Sequence, residues 1–205
     1  MIFSVVIAVL VSYLLGNLNG AVCISALMHD DVRTHGSGNA GLTNFIRNYG
    51  AGRALYVILI DAGKAYLACL ASGLLLEPYG FGPEGVMVGG MAVMMGHDFP
   101  ALLGFKGGKG ILSGLFIALA ADWRIALLIL GIFAVAYLAT KYVSLGSVLG
   151  CIGFSLGFVI WHRDNPLVLI LGVLMGLLAL FMHRENIVRL IKGTERKTDL
   201  FAKKK

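Results

Sequence analysis

The run Val143-Ser-Leu-Gly-Ser-Val-Leu-Gly-Cys-Ile-Gly-Phe-Ser-Leu-Gly-Phe-Val-Ile-Trp161 holds nineteen residues without a charge, and after a short polar break a second uncharged run follows from Pro166 to Met182. At about 1.5 Å per residue a helix of that length matches a bilayer core of about 30 Å. A chain with two such stretches side by side asks to be read as a membrane protein. Five further apolar segments meet the same reading: Ile2–Leu27, Ala54–Leu76, Val86–Met95, Ile111–Ala121 and Ile125–Thr140. The third and fourth are short for a full span, so they extend into glycine-rich flanks, tilt, or are partly re-entrant. The expected fold is an all-α integral membrane bundle of seven transmembrane segments forming a single membrane domain over residues 1–205, with a cytoplasmic tail from 183 onward. Five full spans with a re-entrant pair is the competing count.

Composition agrees. Of 205 residues, 58% are apolar and 14% charged, against about 45–50% and about 25% in soluble domains. So few polar groups cannot cover a soluble fold of this size, which excludes a soluble enzyme. The 28 glycines lie among Leu, Val, Ile and Ala with only four prolines, a pattern of close helix packing in lipid. The net charge of +6 is concentrated after His183, where eight basic residues face three acidic ones. A basic cluster beside a hydrophobic segment points to anionic headgroups, and the interleaved aromatics needed for nucleic-acid stacking are missing. Cys23, Cys69 and Cys151 sit in apolar runs without ligand spacing and read as packing residues.

Basic residues should fall in alternate, cytoplasmic loops. The first loop carries Arg33, Arg47 and Arg53, the third Lys106 and Lys109, the fifth Lys141, and the tail the remaining cluster; the intervening loops have only Arg124 and Arg163. This places the amino terminus outside and the carboxyl terminus inside. Met1-Ile2-Phe3 has no basic n-region, so the first segment is not expected to be a cleaved signal peptide.

Three polar segments fall on the cytoplasmic side. In Arg33-Thr-His-Gly-Ser-Gly-Asn-Ala-Gly-Leu-Thr-Asn44, closely spaced glycines let backbone N–H groups turn inward as a nest, while Ser37, Asn39, Thr43 and Asn44 add side-chain donors and Arg47 follows. In Gly96-His97-Asp98-Phe99 and Phe105-Lys106-Gly107-Gly108-Lys109-Gly110, two lysines flank bare backbone, again suited to phosphate oxygens. In His183-Arg184-Glu185-Asn186, a continuing helix would put His183 and Asn186 on one face. Taken singly, each segment is equally a cytosolic turn, a basic loop or a helix end with snorkelling side chains. Asp61 and Lys64 stand three apart, where an ion pair offsets their cost in lipid, and Asn17 and Asn19 sit in a glycine-flanked break of the first segment. No zinc motif, His-x4-Asp dyad or metal-holding carboxylate cluster is present, so neither metal nor cofactor is expected.

Together the motifs Arg-x-x-Gly-Ser-Gly-Asn-x-Gly-x-Thr-Asn, Gly-His-x-Phe with Phe-Lys-Gly-Gly-Lys, and His-Arg-x-Asn-Ile-x-Arg-Leu resemble those of the bacterial acyl-phosphate:glycerol-3-phosphate acyltransferases, the PlsY-type family, across nearly the whole chain. Asp61-x-x-Lys64-Ala65 resembles the family's Asp-x-x-Lys-Gly. The resemblance implies a multi-pass enzyme of the bacterial inner membrane that moves a fatty acyl group from acyl phosphate to the sn-1 hydroxyl of glycerol 3-phosphate, giving lysophosphatidic acid and phosphate for phospholipid biosynthesis. It further implies a partner enzyme that makes the acyl phosphate. Carried over, the motifs mark Ser37, Asn39, His97, Lys106, His183 and Asn186 as catalytic, and Gly38, Gly41, Thr43, Asn44, Arg47, Gly107, Gly108, Lys109 and Arg184 as phosphate-binding. The assignment expected here gives the Ser37–Asn44 loop and Lys106 to acyl phosphate, and Arg47, His183 and Asn186 to glycerol 3-phosphate, or the reverse. The chain departs from the family at Gly16-Asn-Leu-Asn, at Leu102 and at Ile111-Leu-Ser113, positions that bear on the tunnel wall.

For the attacking hydroxyl the base is His97, His183 or a phosphate oxygen of the donor; surrounding cations depress histidine basicity and favour the phosphate. The rival class is a small-anion transporter or channel, which would need polar determinants reachable from both faces. A lipid-binding scaffold would leave the internal motifs without purpose.

Overall fold

The computed structural model describes residues 1–198; the tail residues Asp199, Lys203, Lys204 and Lys205 counted in the basic cluster lie outside the described residues. Every regular element among the described residues is helical, with no strand: α1 (Ile2–Gly16), α2 (Gly20–Ala26), α3 (Leu42–Tyr49), α4 (Ala54–Leu76), α5 (Gly82–Asp98), α6 (Ile111–Ala121), α7 (Trp123–Thr140), α8 (Val143–Trp161), α9 (Pro166–Met182) and α10 (Arg184–Ile191), with 3-10 turns at Val32–Thr34, Glu77–Tyr79 and Ala101–Leu103. In hydrocarbon a backbone has only itself to bond to, which is why apolar runs of this length become helices.

Four described helices are long and apolar enough to cross a membrane, and the count rises to six when the bent pairs α1/α2 and α9/α10 are each taken as one span. The third predicted stretch is longer than its apolar centre: Val86–Met95 lies inside the 17-residue α5, because Gly82-Pro-Glu-Gly85 and Gly96-His-Asp98, which look like loops, continue the helix with Pro83 in its first turn. The fourth stays short, as the 11-residue α6. The first is broken by 45° between Gly16 and Gly20. There Asn19 caps α2 by accepting from the Val22 N–H at 3.0 Å.

Packing follows the glycines. α4 lies against α1, α5 and α6, and α8 sits between α7 and α9. A Cβ on Gly96 would lie 2.1 Å from the Tyr13 carbonyl oxygen, and Gly16 and Gly96 meet backbone to backbone where α1 crosses α5. Small residues here bring backbones together that larger side chains would hold apart. The main core joins α4 to α9 through residues such as Met87, Ile117, Phe158 and Met175.

The turns collect at two ends. At one end Arg33 Nη1 donates to the Leu103 carbonyl (3.3 Å), the Thr198 N–H to the Lys141 carbonyl (3.1 Å) and Arg47 Nε to Thr198 Oγ1 (2.7 Å). The first, third and fifth loops and the tail thus converge. At the other end Asn165 Nδ2 donates to Glu84 (2.6 Å), and His162 Nε2 lies 3.2 Å from Asp122.

Candidate functional site

A cavity of about 330 Å³ opens at the convergent end. Its polar part is lined by Ser37, Asn39, Thr43, Arg47, Lys109, His183, Asn186, Arg189 and Glu195, and its apolar part runs between α6, α7, α8 and α9 past Leu115, Phe133, Phe154 and Met175. Leu130 lines this apolar wall and is also 46% exposed, so the chamber reaches the lipid-facing surface of α7.

The first loop is shaped by one side chain. Buried Asn44 donates through Nδ2 to the carbonyls of Val32, His35 and Asn39, each at 3.0 Å, and its Oδ1 accepts from the Ser37 N–H at 3.1 Å. Gly36 and Gly38 have φ of 60° and 70°, and the Gly38 N–H is taken up by the His35 carbonyl. The expected nest is therefore partly filled from within: Asn44 and the N–H groups of Ser37 and Gly38 hold the loop together instead of facing an anion. What remains free is the N-terminus of α3, where Gly41 offers no side-chain cap and Gly41, Leu42 and Thr43 line the cavity.

The third loop presents Lys109 and not Lys106. Lys106 is exposed and outside the cavity lining, whereas Lys109 Nζ hydrogen-bonds Asn186 Oδ1 inside it. Burial, reinforced by nearby Arg189, pushes the Lys109 ammonium down. Gly107 and Gly108 serve His97: Gly108 N–H donates to the His97 carbonyl at 3.0 Å, and a Cβ on Gly108 would lie 2.1 Å from His97 Nε2. His97 also meets the buried ion pair, with Lys64 Nζ 2.9 Å from both Asp61 Oδ1 and His97 Nδ1. Neither buried carboxylate oxygen of neighbouring Asp98 has a hydrogen-bond partner among the described residues.

After Met182 the chain bends by 57°, so the helix does not continue straight and the shared face expected of His183 and Asn186 is redrawn. His183 is buried at the bend with Nδ1 2.8 Å from the Ala179 carbonyl. A carbonyl only accepts, so Nδ1 carries the proton and Nε2 is bare. Arg184 turns outward, exposed, donating to the Phe181 carbonyl (3.1 Å) and lying over its ring. Arg189, which reads from sequence as a snorkelling residue, turns inward instead, with Nε 2.6 Å from Glu195 Oε2. Glu195 also accepts from Asn186 Nδ2 at 3.0 Å. Burial pushes its carboxyl up, but the bonds from Arg189 and Asn186 outweigh this and leave it below the ordinary carboxylate range. Sequence reasoning missed Glu195 and gave Arg189 no role at the site although it stands in the third motif; a tail carboxylate six residues after that arginine was the available signal.

Arg47, Lys109 and Arg189 thus face Glu195 around one chamber, an excess of positive charge above an apolar tunnel. No group of three or more His, Cys, Asp or Glu side chains able to hold a metal occurs among the described residues. The class this defines is a polytopic helical membrane protein with an anion site at the head of a lipid-reaching cavity. A family model described as glycerol-3-phosphate acyltransferase matches residues 6–193, and the chain belongs to that family. It is 42% identical over 192 residues to a glycerol-3-phosphate acyltransferase of Finegoldia magna, covering 92% of this chain and 93% of the relative, and 40% identical over 200 residues to one of Clostridioides difficile, covering 96% of both. The fold superposes on the crystal structure of PlsY (YgiH), an integral membrane glycerol 3-phosphate acyltransferase, in its glycerol 3-phosphate form, with a TM-score of 0.87 at 31% identity over 97% of this chain and 100% of that one. The lysophosphatidic acid form of the same protein gives 0.84 at 31% identity, with 96% of each chain covered.

Proposed function

We propose that this chain transfers a fatty acyl group from acyl phosphate to the sn-1 hydroxyl of glycerol 3-phosphate at the cytoplasmic face of a bacterial inner membrane. The observation that carries the proposal is the two-part cavity: a polar head rich in cations over an apolar tunnel suits an acyl phosphate whose chain enters from lipid, and the several cations of that head suit the phosphate of a second substrate. Ser37, Asn39, Gly41, Thr43 and the α3 N-terminus take one phosphate, and Arg47, Lys109, Asn186 and Arg189 the other, with His183 Nε2 facing the acceptor.

In the reaction the glycerol hydroxyl oxygen bonds to the acyl carbonyl carbon, the bond from that carbon to the phosphate oxygen breaks, and the hydroxyl proton leaves on phosphate. The leaving group of a mixed anhydride is good, so a donor phosphate oxygen suffices as base, and the sum of bonds closes without a cofactor or metal. The fixed cations stabilise the charge that gathers on the leaving phosphate. Counting α1 and α2 as one pass, α4 to α9 complete seven, which leaves the amino terminus outside and the loops of the site inside. A partner enzyme supplies the acyl phosphate.

Proteoliposomes given palmitoyl phosphate and glycerol 3-phosphate test this. The proposal expects equal amounts of phosphate and lysophosphatidic acid; anion flux without phosphate release would overturn it in favour of a transporter.

A further inference from the structure

Lys64 sits in α4 with its ammonium buried, and that ammonium has four neighbours: Asp61 Oδ1 at 2.9 Å, the Gly16 carbonyl at 3.0 Å, the Leu18 carbonyl, and His97 Nδ1 at 2.9 Å. Asp61 in turn accepts from the Gly20 N–H at 3.0 Å, so the ion pair spans the break between α1 and α2 and reaches α5. An ammonium donates and has no lone pair, so in this contact Nδ1 of His97 is the acceptor and the imidazole proton sits on Nε2; the three hydrogens are shared among four acceptors, and Asp61 Oδ1, 3.7 Å from the same Nδ1, is beyond hydrogen-bond reach of the ring. Nε2 faces the Gly107–Gly110 loop, no described residue accepts from it, and His97 lines the cavity. His183 is arranged the opposite way, with Nδ1–H given to a carbonyl and Nε2 bare.

We propose that Lys64 is a positioning residue for the acyl transfer: its ammonium holds His97 in the tautomer that presents Nε2–H to an anionic oxygen of the reacting phosphate or acyl group, making His97 a donor and not a base. The inference rests on the acyltransferase reading, and its test separates the two. Asp61 charge balances Lys64, so a lone K64M change leaves a buried carboxylate and the informative variant is the double exchange D61N/K64M, with K64R beside it.

Solid-state 15N spectra of the wild-type protein in lipid, with the His97 signals assigned by their loss in H97Q, read the tautomer directly and need no substrate. The expected result is a protonated Nε2 and a bare Nδ1 at His97, and the reverse pattern at His183. In D61N/K64M the His97 signals should become a tautomer mixture while kcat falls about 100-fold with KM for glycerol 3-phosphate little changed, as for a loosened transition-state donor; K64R should recover part of kcat. A proton on Nδ1 of wild-type His97, or a folded D61N/K64M protein with wild-type kcat, would overturn the proposal, and if the double variant does not fold the wild-type spectrum still decides. Absence of any turnover by wild-type protein with a protonated Nε2 would strike the acyltransferase reading instead.

Discussion

The Asn186 side-chain amide donates to the Glu195 carboxylate at 3.0 Å, tying the helix that follows the last apolar span to the segment nine residues on. Because Arg189 Nε meets the other oxygen of the same carboxylate at 2.6 Å, one acid fixes two residues of the cavity wall. Its companion Thr198 accepts from Arg47. The tail is therefore part of the site.

This makes stability depend on the ionised Glu195. Its folded-state pKa is depressed, so its contribution is fully present above the ordinary carboxylate pKa and is lost as pH falls through the folded value. Thermal melting in detergent should show wild type more stable than E195Q at neutral pH, with the two curves converging under acid. A gap that stays constant with pH would contradict the ionic role.

Arg184 and Arg189 are five residues apart on α10 and point to different places, one over Phe181 at the surface and one into the cavity. A hydrogen bond to a charged group contributes about 1.5–3 kcal/mol, and solvent screening of the 36%-exposed Arg189 side chain sets the low end, so R189A should raise KM for glycerol 3-phosphate about 10-fold, while R184A changes it less than about threefold. Initial-rate kinetics of the two variants check the ordering.

The same contrast divides the lysines of the third loop. K109M removes a cavity cation that bonds Asn186 and should lower kcat/KM by at least about 100-fold. K106M removes an exposed charge and should leave activity within about threefold at moderate salt. Equal losses in both would place Lys106 in the site after all.

Gly114 lines the cavity and has no atom within 4 Å of where its Cβ would stand. A Cβ at that point meets open space, so a G114L side chain starts into the apolar chamber and narrows it, and the variant should turn over decanoyl phosphate well and palmitoyl phosphate poorly. An unchanged preference between those two donors would remove the chamber from the acyl path.

Much of this was legible in residue order. Charge-free runs such as Val143–Trp161 mark helices because hydrocarbon permits little else, and alternation of Arg and Lys between loops places the first, third and fifth loops with the tail, where the contacts of Arg33, Arg47 and Lys141 indeed gather them. What sequence hides is direction. The 57° bend at His183 decides that Arg189 enters the site and Arg184 leaves it, and that bend depends on packing against α8 and the tail. Asn44 reads as a phosphate ligand because its amide is a good donor, and in the folded loop, at the cavity edge, that amide is given to three backbone carbonyls. Glu195 was lost in a basic run whose net charge drew attention away from the one acid that organises it.

The proposed donor, acyl phosphate, is tested most directly by comparison with thioesters. Purified protein is given radiolabelled glycerol 3-phosphate with equal concentrations of palmitoyl phosphate, palmitoyl-CoA or palmitoyl-acyl carrier protein, and the label is followed into lysophosphatidic acid. Incorporation is expected with palmitoyl phosphate alone, matched by released phosphate; equal incorporation from the thioesters, or none from the acyl phosphate, would contradict that donor.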